Sequence, residues 1–456
     1  MSTAVQINEQ TSASQRYAER VNPEWVRLLN LLEMNVRYER CVGAELFTSD
    51  GRRILDFLSG YCVHNVGHNH PDVVAALQDE LARFGPAMIQ THVADLAGEL
   101  AEKLCVRAGG RLRRAFFCSS GSEGVEAAIK FARAHTKRAG ILSAEHAFHG
   151  LTCGALSLMS DPYWRDGFGP LLPHTKAVPF GDLGSLDREL KKQEFAAFVV
   201  EPIQSEAGVC IPDRDYLRAA ESLCRRYGTL LVLDEVQTGM YRTGPFLAGQ
   251  SFGVEPDMVV LAKAMSGGLV PCGAVLMSEA ICDSVYSSLP KAFVHTSTFS
   301  ENSLAMRAAL ATLEVLERED LGSRCAAAGE YLRIRLSDAL GDFEMVKEIR
   351  GAGLLMGIEF QAPSQLRLRI PFEAFSAIHP GMFGQIVVMR LFREAGFLTQ
   401  ICGNNFRVLK VAPPLVITDV QLDAFVAAVR DVVELAHSPG AFWSEALGLA
   451  KRAFRA

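Results

Sequence analysis

Between Arg114 and Val275, short apolar runs alternate with stretches of helical periodicity. The runs are RRAFFCSS, AGILSAE, AAFVVEPI, LLVLDEV and DMVVLAK, and the helical stretches include VEAAIKFARAH and DYLRAAESLCRRYG. Runs this short and this rich in Val and Leu suit strands buried on both faces. Their alternation with helices predicts an α/β domain with a mostly parallel sheet between two helical layers.

The flanks follow other patterns. Residues 1–15 carry few apolar groups and are expected to be disordered. Glu24 to Met34 has the periodicity of an amphipathic helix, and ELFTSDGRRILDFLSG reads as two short strands around an Asp50-Gly51 turn. Pro71–Phe84 is predicted helical, with Pro71 and Asp72 at its start. After Asn302 a long helical stretch, SLAMRAALATLEVLERE, leads out of the alternating region. Beyond it, EMVKEIRGAGLLMGIEF and RVLKVAPPLVIT are strand-like and VQLDAFVAAVRDVVELAH is helical. The expected division is therefore a large domain over 66–328 and a smaller α+β domain over 329–456, with the segment 1–65 packing against the latter. Gly351-Ala352-Gly353 through Gly357 has the look of a dinucleotide loop, but no helix follows it, so it is read as a small-domain turn.

Composition narrows the function classes. A chain of 456 residues has ample core, and its 49% hydrophobic and 21% charged residues are ordinary for a globular enzyme. A net charge of −6 without a sustained basic run argues against nucleic-acid or membrane-surface binding. The N-terminus is polar, and no apolar run reaches the roughly 18–20 residues of a membrane helix. Eleven scattered cysteines without a CxxC pair suit reduced thiols in the cytoplasm.

Two strand-like runs end in opposite charges, Asp234 in LLVLDEVQTG and Lys263 in VVLAKAMSGG. Ligands of open α/β sheets bind beyond the carboxyl ends of the strands, so both charges fall where a cofactor sits. A pyridine-ring cofactor uses both, since a lysine bonds to its aldehyde and an acid pairs with its ring nitrogen. Each residue has a plainer reading, Asp234 as a loop cap and Lys263 as a surface lysine. Ser119-Ser120-Gly121-Ser122-Glu123-Gly124 precedes a helix and offers free N–H groups and dipole charge to a phosphate. Taken alone, it is equally an ordinary N-cap. His64, His68 and His70, and likewise His146 and His149, have no acidic or cysteine partner at ligand spacing, so no metal is expected.

A phosphate cradle, an acid and a lysine in this order are the three handles of pyridoxal 5'-phosphate. Their context resembles the class III (ornithine/ω-amino acid) aminotransferases of fold type I. The resemblance runs from DFLSGYCVHNVGHNHPDVVAAL through SSGSEGVEAAIKFAR, AFHGLT, VVEPIQSEAGV, LLVLDEVQTGMYRTG, PDMVVLAKAMSGG and HTSTFSENSLA to APPLVIT. It implies a seven-stranded-type sheet and roles for matching positions. Lys263 would hold the cofactor and shuttle the proton, and Asp234 would pair with the ring nitrogen. Ser120, Gly121 and Ser122 would cradle the phosphate. Phe148 and Val236 would flank the ring, Gln237 would reach its phenolic oxygen, and His149 and Glu201 would lie beside it. Thr298 would touch the phosphate of a neighbouring subunit's cofactor, which implies a homodimer, free or paired into a dimer of dimers, with shared sites.

The chain departs from its relatives where substrate is chosen. Relatives acting on α-carboxylate substrates carry HGRT where this chain reads His149-Gly150-Leu151-Thr152. They also carry an arginine, paired with the glutamate matching Glu206, where this chain has Lys410. Arginine offers a carboxylate a bidentate fork and lysine only a point charge. The expectation is a transaminase for primary amines lacking an α-carboxylate, with pyruvate or 2-oxoglutarate as acceptor. Tyr61, Leu151, Glu206 and Lys410 are the expected substrate contacts, and the acceptor carboxylate is left among Arg407, Lys410 and Gln400. Residues 361–386 look like an apolar insertion, read either as a loop over its own minor core or as a flap over the entrance. The alternatives are an ornithine, acetylornithine or 4-aminobutyrate aminotransferase, or a mutase, racemase or decarboxylase with the same cofactor site. A scaffold without catalysis is the rival from another class, disfavoured by the presence of both Lys263 and Asp234.

Overall fold

The structure is a computed structural model that describes residues 12–89, 91–438, 440 and 442–443. The first eleven residues of the segment expected to be disordered lie outside the described residues, but its end does not. Ala13–Arg20 is a helix, and the Ser12 side chain accepts from the Gln15 N–H to cap it. One satisfied orphan donor and a helical run beyond residue 15 account for that difference.

Strands β1 (Tyr38–Val42), β2 (Glu45–Thr48) and β3 (Arg53–Asp56) form an antiparallel meander, with β2 and β3 joined through the Asp50-Gly51 turn. The large sheet comprises β4 (Arg114–Cys118), β5 (Gly140–Ala144), β6 (Thr175–Val178), β7 (Phe195–Val200), β8 (Leu230–Asp234), β9 (Met258–Leu261) and β10 (Gly273–Met277). Its order is β4-β10-β9-β8-β7-β5-β6; β10 runs antiparallel to both neighbours and the remaining pairs are parallel. All six residues of β7 are buried, as a strand covered by helices on both faces requires.

The small domain pairs β11 (Val346–Ala352), β12 (Leu355–Phe360), β14 (Gln400–Ile401) and β15 (Val408–Val411), in the order β11-β12-β15-β14. Gly353, at φ +53°, turns β11 into β12, so the glycine cluster is a hairpin and no nucleotide loop. β13 (Phe397–Leu398) instead adds in parallel to β3. The N-terminal meander thus brings three strands of its own and borrows its fourth from the small domain.

Residues 361–386 do not form a flap. They fold into the whole of the helix Leu366–Ile378 and the start of Met382–Arg393. Phe372 and Phe383 are buried, with ring centroids 5.0 Å apart, and Phe383 lies 5.2 Å from Phe360 on β12. The apolar residues that suggested a cover for the entrance are part of the small-domain core. A helical period in LRLRIPFEAFSAI was there to be read, although Pro371 within it argues against a helix.

Candidate active site

The carboxyl ends of β8 and β9 place Asp234 and Lys263 on one cavity of about 380 Å³, a volume within the range of small-molecule sites. Ser119, Ser120, Gly121, Ser122, Phe148, His149, Glu201, Val236 and Gln237 line the same cavity. Asp234 ends β8 and Lys263 opens a short 3-10 turn two residues after β9. Lys263 has φ +44°, a left-handed conformation that costs a non-glycine residue energy, and Gly267 and Gly268 continue the turn at positive φ.

At the cradle, Ser120 caps the helix Gly121–Thr136 by accepting from the Glu123 N–H at 3.2 Å. The Ser119 N–H donates to the Glu123 carboxylate at 2.6 Å. The Ser122 hydroxyl accepts from the Leu151 N–H at 3.3 Å. A Cβ on Gly121 would stand 2.9 Å from Val236, and one on Gly150 would drive into Ser122. The N-cap and the cradle are therefore one object: the cap fixes the turn, and the helix start faces the cavity.

On the cavity wall, three buried side chains lie close enough to influence one another's charge. His149 Nδ1 lies 2.8 Å from Asp234 Oδ2, and Asp234 Oδ1 accepts from the Val236 N–H at 3.0 Å. Glu201 accepts from the N–H of Phe148 at 2.9 Å and of Ser205 at 3.3 Å. Burial pushes the Glu201 carboxyl up to about 7, against the lowering influence of His149. Burial opposes the charged form of His149, but the hydrogen bond to Asp234 and its charge overcome that and raise the imidazole above its ordinary range. Burial lowers the Lys263 ammonium, against the raising influence of Cys62, Glu206 and Asp234. Its Nζ donates to Gln237 Oε1 at 3.3 Å, and the Gln237 amide in turn points at Cys62 Sγ, 3.9 Å away.

A second cluster adjoins the first. Lys410, on β15 and fully buried, forms an ion pair with Glu206. The Gly403 N–H donates to the other Glu206 oxygen at 2.9 Å. Tyr61 covers Lys410, with Nζ 4.7 Å from the ring centroid. Burial pushes Glu206 up, yet Lys410 outweighs it and holds the carboxyl below its usual range. Lys410 is correspondingly raised by Glu206 in spite of its burial. Tyr61 belongs to a run of four residues, Ser59 to Cys62, that all have positive φ. Only Gly60 does so at little cost, and the run is pinned at its start by Asp56, which accepts from the N–H groups of Leu58 and Ser59.

Leu151 and Thr298 stand apart. Leu151 is exposed beside Ser122 and is not among the cavity's lining residues. Thr298 is exposed in a separate cleft of about 650 Å³ with Ile89, Phe293 and Ser297. Three further residues belong to the site's surroundings and were not singled out from the sequence. Trp164 packs edge-on to Phe148, Asn404 bonds to Trp164, and Cys62 faces Gln237. Cys62 sits directly after Tyr61 in the quoted DFLSGYCV segment, whereas Trp164 and Asn404, 240 positions apart, fall in no motif.

A helix start, an acid and a buried lysine around one cavity are the arrangement expected of a pyridoxal-phosphate enzyme of fold type I. A model of the family described as aminotransferase class-III matches residues 30–433. The chain belongs to that family, and its cofactor is pyridoxal phosphate. It is 38% identical over 398 residues to a putrescine aminotransferase of Pectobacterium atrosepticum, covering 85% of this chain and 80% of that one. It is 35% identical over 450 residues to the aminotransferase PigE of a Serratia species, covering 92% of this chain but only 53% of that longer protein. Among solved structures, an ornithine aminotransferase of Toxoplasma gondii with partial occupancy of the cofactor superposes with a TM-score of 0.78 at 30% identity, covering 91% of each chain.

Proposed function

We propose that this chain is a transaminase for primary amines that lack an α-carboxylate, apolar amines and diamines among them, with an oxo acid such as pyruvate or 2-oxoglutarate as acceptor. One observation carries the reading: the cavity lining contains no arginine, and Lys410, standing where α-carboxylate-using relatives have one, is buried and committed to Glu206. An arginine paired with that glutamate still has donors to spare for a second carboxylate, whereas a lysine offers a single point charge. The likeness to a putrescine aminotransferase points the same way, since putrescine is a diamine without a carboxylate.

The residues present fit the cofactor. Ser120, Gly121 and Ser122 would hold its phosphate at the helix start. Phe148 and Val236 would flank the ring, and Asp234, oriented by His149 and the Val236 N–H, would face the ring nitrogen. Gln237 would meet the phenolic oxygen. When bound, pyridoxal phosphate supplies the aldehyde that takes the amine and the cationic ring that stores an electron pair. Lys263, favoured in its neutral form by burial, takes the proton from the amine-bearing carbon and returns it. Gln237 restrains its Nζ. Tyr61, Glu206 and Lys410, which are not among the cavity's lining residues, would form the substrate wall beside it. Thr298 is proposed to complete the site of a second copy: Phe84, Val93 and Phe299 are exposed apolar residues in segments that meet its cleft. The unpaired cysteines of the described residues support a reducing, cytoplasmic compartment.

The test is a donor panel of an aryl-alkyl amine, a long-chain amine, putrescine and ornithine. The first three are expected to exceed ornithine in kcat/KM by about tenfold or more, the equivalent of ~1.4 kcal/mol. A preference for ornithine would overturn the substrate reading. Stoichiometric amino transfer to the oxo acid separates a transaminase from a mutase, racemase or decarboxylase. Sedimentation at micromolar concentration reads the dimer.

A further inference from the structure

One side chain of the small domain ties the substrate wall to the ring-stacking face of the cofactor site. Asn404 lies in the loop between β14 and β15. Its Oδ1 accepts from Trp164 Nε1 at 2.7 Å, and its Nδ2 donates to the carbonyls of His146 at 2.8 Å and Ala147 at 3.3 Å. Both donors and the acceptor of the amide are thus in use. The two carbonyls immediately precede Phe148, and Trp164 meets the Phe148 ring edge-on, with centroids 5.3 Å apart and planes at 79°. The backbone of the same loop grips Glu206: the Asn404 N–H donates to the Glu206 carbonyl at 2.9 Å, and the Gly403 N–H to its carboxylate.

The residues held at Phe148 belong to the large domain and the residue holding them to the small one. His146 has φ +61°, so this stretch does not rest in its lowest-energy conformation and needs outside contacts to stay put. Phe148 and His149 follow directly, one beside the ring's place and the other on Asp234. We propose that Asn404 is a positioning residue: it clamps the 146–149 segment and thereby fixes the Phe148 side chain that would flank the cofactor ring. The inference rests on the cofactor site and not on the choice of amine.

The isosteric Asn404→Asp keeps the acceptor for Trp164 and sets a carboxylate oxygen against two carbonyls. Trp164→Phe removes only the indole donor. Cofactor is removed from the parent and both variants, and each is titrated with pyridoxal phosphate. Binding is read by fluorescence and the bound state by visible circular dichroism. Asn404→Asp is expected to weaken binding by about tenfold and to reduce the cofactor's dichroic band. Trp164→Phe should do so by a few fold. Unfolding midpoints without cofactor should shift little for Trp164→Phe, which keeps the proposal testable if Asn404→Asp folds poorly. Parent-like affinity and dichroism in a folded Asn404→Asp, or in Trp164→Phe if the former does not fold, would overturn the clamp. Failure of the parent itself to bind pyridoxal phosphate would instead overturn the cofactor site.

Discussion

At the proposed cofactor end of the site, two buried carboxyl groups face one imidazole, His149, which is bonded to Asp234 and influenced by Glu201 through its charge. At the substrate end, Glu206 has Lys410 to itself. The first arrangement has acid to spare and welcomes a further cation, which is what a protonated pyridine ring brings. The second is balanced and has no charge left for a substrate carboxylate. Burial alone therefore says little about what a charge is for; the local balance tells a site awaiting its counter-ion from one that is already closed. Lys263 lies between the two and feels both, with burial as the dominant influence.

The largest effect that sharpens this comparison is the loss of the lysine they share. On the roles proposed for it, Lys263→Ala would remove the residue that holds the cofactor and carries the proton, and turnover is expected to fall by about 10⁴-fold or more. A coupled assay for the keto product reads it. Turnover at the parent rate would mean that neither end is organised around Lys263.

The substrate end can be broken on its own. Lys410→Met leaves Glu206 buried without its partner, and removal of one member of such a pair costs about 3–5 kcal/mol. Adding Glu206→Gln should restore most of that, since two neutral groups replace a neutral pair. Urea unfolding checks both variants. The sign with pH follows from the two directions of shift. Glu206, held low, contributes stability present above the ordinary carboxylate range and lost as pH falls through its folded value; Lys410, held high, loses its contribution only in strong alkali. The pair should therefore hold through neutrality and give way on acidification. A Lys410→Met variant as stable as the parent would show that the balance at this end is unimportant.

The two ends also differ in how far they could be read from the chain. Asp234, Lys263 and the Ser119–Ser122 turn follow apolar runs directly, so the strand pattern that predicts the large sheet also predicts where they emerge. The substrate end draws on the turn at Tyr61, the loop at Glu206 and β15 at Lys410, three segments joined only by tertiary folding. Lys410 could be noticed as a departure from relatives, but its burial under Tyr61 could not. Trp164 and Asn404 carried no signal, because a hydrogen bond spanning 240 positions has no local pattern. The segment 361–386 admits two readings from sequence, a cover over its own minor core or a flap, and its buried phenylalanines side with the first. Its apolar residues were counted correctly, but Pro371 masked the helical period that turns them inward.

The smallest effect tests the claim that the cofactor end is over-supplied with acid. Glu201 has a folded value of about 7, pushed above its ordinary 4.5 by burial, so the folded protein binds the proton more tightly than the unfolded chain. Its contribution is full below the unfolded value and is lost as pH rises through about 7. At ~1.4 kcal/mol per unit, the loss between acid and mildly alkaline solution comes to about 3 kcal/mol. The raised His149 adds a loss of the same sign as pH rises through its folded value. Glu201→Gln keeps the shape and removes the titration. The cofactor-free variant should lose about 2–3 kcal/mol less than the parent between pH 5 and pH 8, with the slope due to His149 remaining. Urea unfolding of both proteins at the two pH values measures it. Equal losses in parent and variant would mean that Glu201 is ionised throughout, and that the His149 imidazolium already compensates both carboxylates before any cofactor ring arrives.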